Sequence, residues 1–88
     1  EVEEMSSQLA RRLKSDRSDG VVVVKVRPGS LAAEGGLQPM DIILSVDGAS
    51  TLNLEDFRTA IKSANLSDGI RLVVENQGME RFVFIKDE

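Results

Sequence analysis

Neither histidine nor cysteine occurs in the 88 residues, and tryptophan and tyrosine are missing as well. The first two absences remove Ser-His-Asp and Cys-His nucleophilic catalysis, thiolate zinc sites and disulfides together. Three phenylalanines are the only aromatic residues, 3% of the chain, so platforms for stacking nucleic-acid bases are lacking. A net charge of −4 disfavours phosphate contacts, and no nucleic acid is expected as a partner. No apolar run approaches the roughly 20 residues of a membrane-spanning helix, and no signal-peptide pattern is present. No direct membrane insertion is therefore expected, and any export signal or anchor would lie outside these residues. Neither a cofactor nor a metal site is expected. A Ser-Lys or paired-carboxylate enzyme survives these exclusions, but 15 acids on a small acidic chain read as solvated surface, and a non-catalytic role is expected.

Hydrophobic residues make up 41% and charged residues 30%, an ordinary globular balance. The length suits one small core, so residues 1–88 are read as a single domain. Its organising stretch is residues 20–48. Residues 21–26 are an apolar, β-branched run of strand length, stopped by Pro28 and Gly29. Ser30 can cap a helix of about one turn through Leu31, Ala32, Ala33 and Glu34 before Gly35 and Gly36 end it, leaving Leu37 to plug the core. Pro39 fixes the next turn, Ile42–Val46 reads as a strand, and Asp47 with Gly48 as a tight turn.

Outside this stretch, residues 1–5 support a short edge strand, and Ser6 or Ser7 can cap a packing helix with Met5, Leu9 and Leu13 on one face. Residues 15–19 are a polar loop. Asn53 with Asp56 three residues on signals the start of the main helix, residues 54–64, whose apolar stripe is Leu54, Phe57, Ala60, Ile61 and Ala64. Ile70, Leu72 and Val74 alternate with more polar positions, the turn chemistry of Asn76, Gln77 and Gly78 follows, and Phe82 to Ile85 complete a terminal hairpin.

Gly29-Ser30, Ala32-Ala33, Gly36-Leu37 and Asp41-x-Ile43 together resemble, in order and spacing, the central motif of bacterial PDZ domains. Leu31 stands where that motif has proline and Met40 where it has glycine. A left-handed backbone at Met40 would cost of order 1–2 kcal/mol. Strict alternation in residues 21–26 faces Val22, Val24 and Val26 the same way, whereas the resemblance implies a bulge that sends Val21, Val23 and Val26 inward; the residues leave both readings open. The element order resembles the permuted bacterial form of the family, and Leu9-Ala10-Arg11-Arg12-Leu13 before the valine strand is similar to PDZ domains of HtrA-type (Deg) serine proteases.

The resemblance implies an α+β fold: a small, partly open β-barrel or sandwich of five to six strands capped by two main helices and one short helix. It implies binding of extended or C-terminal apolar peptide segments by strand addition. Carried over position by position, Val2, Glu3, Glu4 and Met5 form the receiving edge, and Leu54, Arg58, Ile61 and Lys62 line the opposite helical wall, with Phe57 and Ala60 turned to the core. Leu54 at the helix start implies a preference for peptides apolar at the last residue and two residues earlier. In the family a Gly- and Leu-containing loop just before the edge strand offers N–H groups to the terminal carboxylate. Its place falls ahead of Glu1, so weakened carboxylate capture by residues 1–88 is expected. Expected partners are peptide or unfolded-protein C-termini, the parent protease domain and neighbouring PDZ domains, in a bacterial periplasm or cell envelope. The alternatives are a PDZ domain of a site-2-type or tail-processing peptidase or of a secretion-system scaffold, and a structural domain pairing between subunits.

Overall fold

The computed structural model describes residues 2–15 and 17–87, so Glu1 of the expected edge strand and Asp16 of the expected loop lie outside the description. In chain order the elements are β1 (Val2–Glu4), α1 (Ser7–Leu13), β2 (Val21–Val23), α2 (Leu31–Glu34), β3 (Ile42–Val46), β4 (Ala49–Ser50), α3 (Leu54–Ser63), β5 (Ile70–Asn76) and β6 (Met79–Ile85). The six strands form one antiparallel sheet in the order β1-β2-β3-β5-β6, with β4 paired to β3. This is the expected α+β set of strands and helices, arranged as an open sheet with β1 and β6 at its edges.

Local chemistry accounts for most element boundaries. Ser6, Ser30 and Asn53 each sit in extended backbone and accept the third helical N–H, from Leu9, Ala33 and Asp56 respectively. The Asp56 carboxylate reaches back to the N–H of Leu52 at 3.2 Å, one residue beyond the donor that a capping box would bond. Both two-residue hairpins have positive φ at their central residues, 49° and 85° at Asp47 and Gly48, 53° and 81° at Gln77 and Gly78. That conformation matches the twist of the flanking strands. Met40 has a φ of 73°, the left-handed backbone in which glycine would be unstrained.

Two apolar clusters cover the two faces of the sheet. The main one gathers Val21, Val23, Ile43, Val46, Ile70, Leu72, Val74 and Val83, with Val26, Leu37, Leu54, Phe57 and Ala60 packed against it. The second joins Met5 and Leu9 to Val22 and Ile42, so α1 closes the opposite face. Val21, Val23 and Val26 therefore share one side and Val22 takes the other, because regular strand stops at Val23 and the next two residues shift the period. In β3 a bulge between Ile43 and Ser45 performs the same shift and lets Ile43 and Val46, three residues apart, both enter the main core. Thr51, fully buried, donates its hydroxyl to the Ile43 carbonyl at 2.9 Å and holds β4 against that bulge.

Asp41, immediately before β3, is a fully buried carboxylate with every approach occupied. Arg81 donates two bonds to it, Nη2 to Oδ2 at 2.6 Å and Nη1 to Oδ1 at 2.9 Å. Asn76 Nδ2 adds a third at 2.9 Å and the Gln38 N–H a fourth at 2.8 Å. Arg81 also donates to the Gly36 carbonyl at 2.9 Å, so one ionic knot ties the turn after α2 to the β5–β6 hairpin. Burial pushes the Asp41 carboxyl up, but these donors outweigh it and hold the group below the usual carboxylate range.

Candidate functional site

The free edge of β1 and the exposed side of α3 are the two surfaces that the sequence placed together. The N–H of Met5 donates to the Gly20 carbonyl at 2.9 Å, continuing the β1–β2 register. Because ladder bonds alternate along an antiparallel strand, Glu3 turns its main-chain groups toward β2 as well. Those of Val2 and Glu4 point to the open edge. Side chains alternate too: Val2 packs against the main core and Glu4 shares its face, whereas Glu3 projects to the side of α1.

Helix α3 stands on the main core through Leu54, Phe57 and Ala60. Its outer side carries an open trough of about 660 Å³ lined by Glu55, Phe57, Arg58, Thr59, Ile61 and Lys62. Ile61 is 36% exposed and belongs to neither core cluster, so its apolar surface is presented to solvent. A hydrogen bond joins the strand to the helix, the Leu54 N–H donating to Glu4 Oε1 at 3.0 Å.

Of the eight expected site residues, Val2 and Glu4 lie on β1 with outward main-chain groups, and Leu54, Arg58, Ile61 and Lys62 lie on α3. Leu54 is half-buried, and its side chain is shared with the core. Glu3 lies on the strand but bonds inward through its main chain. Met5 needs a correction: β1 ends at Glu4, the Met5 side chain is 8% exposed in the cluster beneath α1, and its N–H is already used. Periodicity had tied Met5 to Leu9 on the packing face, and that signal takes precedence over the strand assignment.

A second cavity of about 560 Å³, which no sequence pattern announces, lies at the start of β1, where Val2, Val23, Val26 and Leu37 form an apolar floor beside Lys25 and Arg27. Leu37 had been assigned only to plug the core. Among the described residues no group of acidic, histidine or cysteine side chains is arranged to hold a metal ion.

An open strand edge beside an amphipathic helix is the geometry of modules that receive an extended chain as one more strand. The PDZ domain family profile matches residues 22–76, and the chain belongs to that family. It is similar to a DegP-like periplasmic serine endoprotease of Chlamydia pneumoniae, 30% identical over 88 residues that make up 99% of this chain and 18% of that protein. A Xylella fastidiosa protein named as a zinc metalloprotease is 37% identical over 60 residues, 68% of this chain and 13% of that one. Among solved structures, an HtrA-type protease, AlgW, with a decapeptide superposes with a TM-score of 0.84 at 27% identity, covering 98% of this chain and 26% of that one. The chain therefore spans less than a fifth of the length of those two relatives, and it closely resembles the PDZ domains of HtrA proteases, which are non-catalytic modules.

Proposed function

We infer that this PDZ domain binds extended apolar peptide segments, C-termini among them, by adding them as a strand to the edge of β1, with α3 as the facing wall. The observation that carries this reading is the outward main chain of Val2 and Glu4 at an open sheet edge, tied through the Glu4–Leu54 hydrogen bond to the start of α3, whose exposed side carries Arg58, Ile61 and Lys62. Backbone bonds supply affinity without regard to sequence, and the helix side chains supply selection. The peptide strand takes its hydrogen bonds from the outward main chains of Val2 and Glu4. The decapeptide in the HtrA-type protease structure supports the same use of this fold.

The domain serves as the substrate-recognition and regulatory module of an HtrA-type serine protease in a bacterial periplasm or cell envelope, its partners being peptide or unfolded-protein C-termini and the parent protease domain. The match to the Chlamydia pneumoniae protein over 99% of this chain favours this parent. The similarity to the Xylella fastidiosa protein keeps a metalloprotease parent as the second reading. Residues 1–88 are assigned as a single domain in either case.

Fluorescence anisotropy with a labelled apolar peptide tests the proposal. Wild type binds it saturably, and Ile61→Asp weakens binding about tenfold or more, because a charge replaces the apolar contact along the trough. Ile61 lies outside both core clusters, so the variant keeps its thermal midpoint. Equal affinity of the two folded proteins contradicts the assignment of the α3 wall.

A further inference from the structure

The face of the sheet opposite α3 is covered over only part of its width. Helix α1 lies on β2 and β3, where Met5 and Leu9 meet Val22 and Ile42, with Leu13 and Leu44 packed beside them. Because Leu72, Val74 and Val83 enter the main core, the β5–β6 half of this other face carries Arg71, Val73 and Glu75 on one strand, paired with Phe84, Phe82 and Glu80 on the next. Val73, Phe82 and Phe84 belong to neither apolar cluster, and Phe82 is 76% and Phe84 51% exposed. Two of the three phenylalanines of the chain thus stand bare on one strand, on a sheet half that no helix closes. The Phe84 ring is held there by Gly69, on which it rests and where any Cβ would overlap it. An open concavity of about 500 Å³ beside the rings is bordered by Asp47, Asp68 and Arg71.

Charge divides the same face. Arg11, Arg12 and Lys14 are exposed on or next to α1, which contains no acid, and among the described residues none of the three forms an ion pair. On the bare half Asp47, Asp68 and Glu80 are exposed without ion-pair partners among the described residues, whereas Glu75 is already held by Arg17 at 2.7 Å. A basic ridge therefore stands beside an acidic, aromatic step. We propose that a second copy of this chain covers the step, the two domains being related by a two-fold axis roughly along the strands, so that α1 of each lies on Phe82 and Phe84 of the other. Such an interface is isologous and closes at two copies. The ridge of one copy fills the step of the other, and each sheet gains the half of a helical layer that it lacks. The α1 cations then face Asp47, Asp68 and Glu80, with the Arg11 and Arg12 guanidinium groups placed to stack on the rings. Apposing the two bare halves instead would bring their acids together. The inference stands apart from the peptide-binding reading, because α3 lies on the other face of the sheet and stays free.

The contact is small, so an affinity of about 0.1 mM is expected, weaker than that of a standard-sized interface. Sedimentation equilibrium of residues 1–88 from about 10 µM to about 1 mM tests it, with the apparent mass expected to rise from one chain toward two, and less so at high salt. Phe82→Ser, outside both core clusters, is expected to weaken association about tenfold or more. A charge exchange identifies the two surfaces. Arg11→Glu with Arg12→Glu, and separately Asp68→Lys with Glu80→Lys, are each expected to remain monomeric alone and to associate when mixed in equal amounts, since only the mixed pair has opposite charges at both contacts. Thermal midpoints within a few degrees of wild type establish that each variant is folded. A wild type that stays monomeric at the highest concentration, a Phe82→Ser protein that associates as wild type does, or a mixture that fails to associate overturns the proposal.

Discussion

The Arg81 guanidinium and the Asp41 carboxylate meet 2.6 Å apart, with Asp41 fully buried and the Arg81 side chain about a third exposed. Removing either partner has unequal consequences. Arg81→Met leaves a buried carboxylate with only Asn76 and Gln38 as donors and is expected to cost about 2–4 kcal/mol, somewhat less than the roughly 3–5 kcal/mol of breaking a fully buried pair because water reaches the arginine. Urea unfolding measures it, and a loss below about 0.5 kcal/mol would show that the knot is incidental to stability.

The same pair sets an acid limit. Because the folded carboxyl of Asp41 is held below its ordinary value, its stabilising contribution is fully present above the unfolded pKa of about 4 and is lost as pH falls through the folded value. Glu75, held down chiefly by its bond from Arg17 at 2.7 Å, acts in the same direction. Stability is expected to be flat from pH 7 to about 5 and to fall below about 4, with a shallower fall in Asp41→Asn, which starts from lower stability. Equal slopes for wild type and variant in urea titrations across that window would contradict the assignment.

Met40 is a second test. Its φ of 73° disfavours any residue with a Cβ, so Met40→Gly is expected to stabilise by about 0.5–1 kcal/mol after the loss of a half-buried side chain. For a chain of this size that raises the melting midpoint by a few degrees, on the scale of about 4–8 °C per kcal/mol. A lowered midpoint would mean that Met40 packing outweighs its backbone strain.

Gly35 gives a contrast. Its φ of −73° is helical and unstrained, yet a Cβ there would stand 2.6 Å from the Phe84 carbonyl oxygen, a backbone atom that cannot swing aside. Gly35→Ala is expected to push α2 off β6 and cost about 1–3 kcal/mol, visible as a lowered midpoint. A neutral outcome would show that α2 shifts freely.

These cases separate what local chemistry announces from what it cannot. The strain at Met40 was legible because a motif position normally filled by glycine carried a side chain, and the hairpins and helix caps were legible because their donors and acceptors lie within four residues. Gly35 was read only as a helix stop, since its close approach to Phe84 depends on a strand 49 positions later. Glu4 was placed on the edge strand correctly, but its bond to Leu54 depends on how α3 docks, and no periodicity in residues 1–5 contains that. Met5 failed for a related reason: two short-range patterns competed for it, and only the packing of α1 on β2 decides between them. The valine strand was resolved in the same way, by the end of regular pairing at Val23.

The central claim is strand addition at β1, and hydrogen exchange of its amides tests it most directly. In the free protein the Glu4 N–H faces the open edge and exchanges quickly, while the Met5 N–H, bonded to Gly20, is protected. Saturation with an apolar peptide is expected to slow exchange at Glu4 by about tenfold or more and to leave the already paired Met5 with a much smaller change. Unchanged exchange at Glu4 with new protection along β6 instead would contradict the account, because the peptide would then occupy the other edge of the sheet.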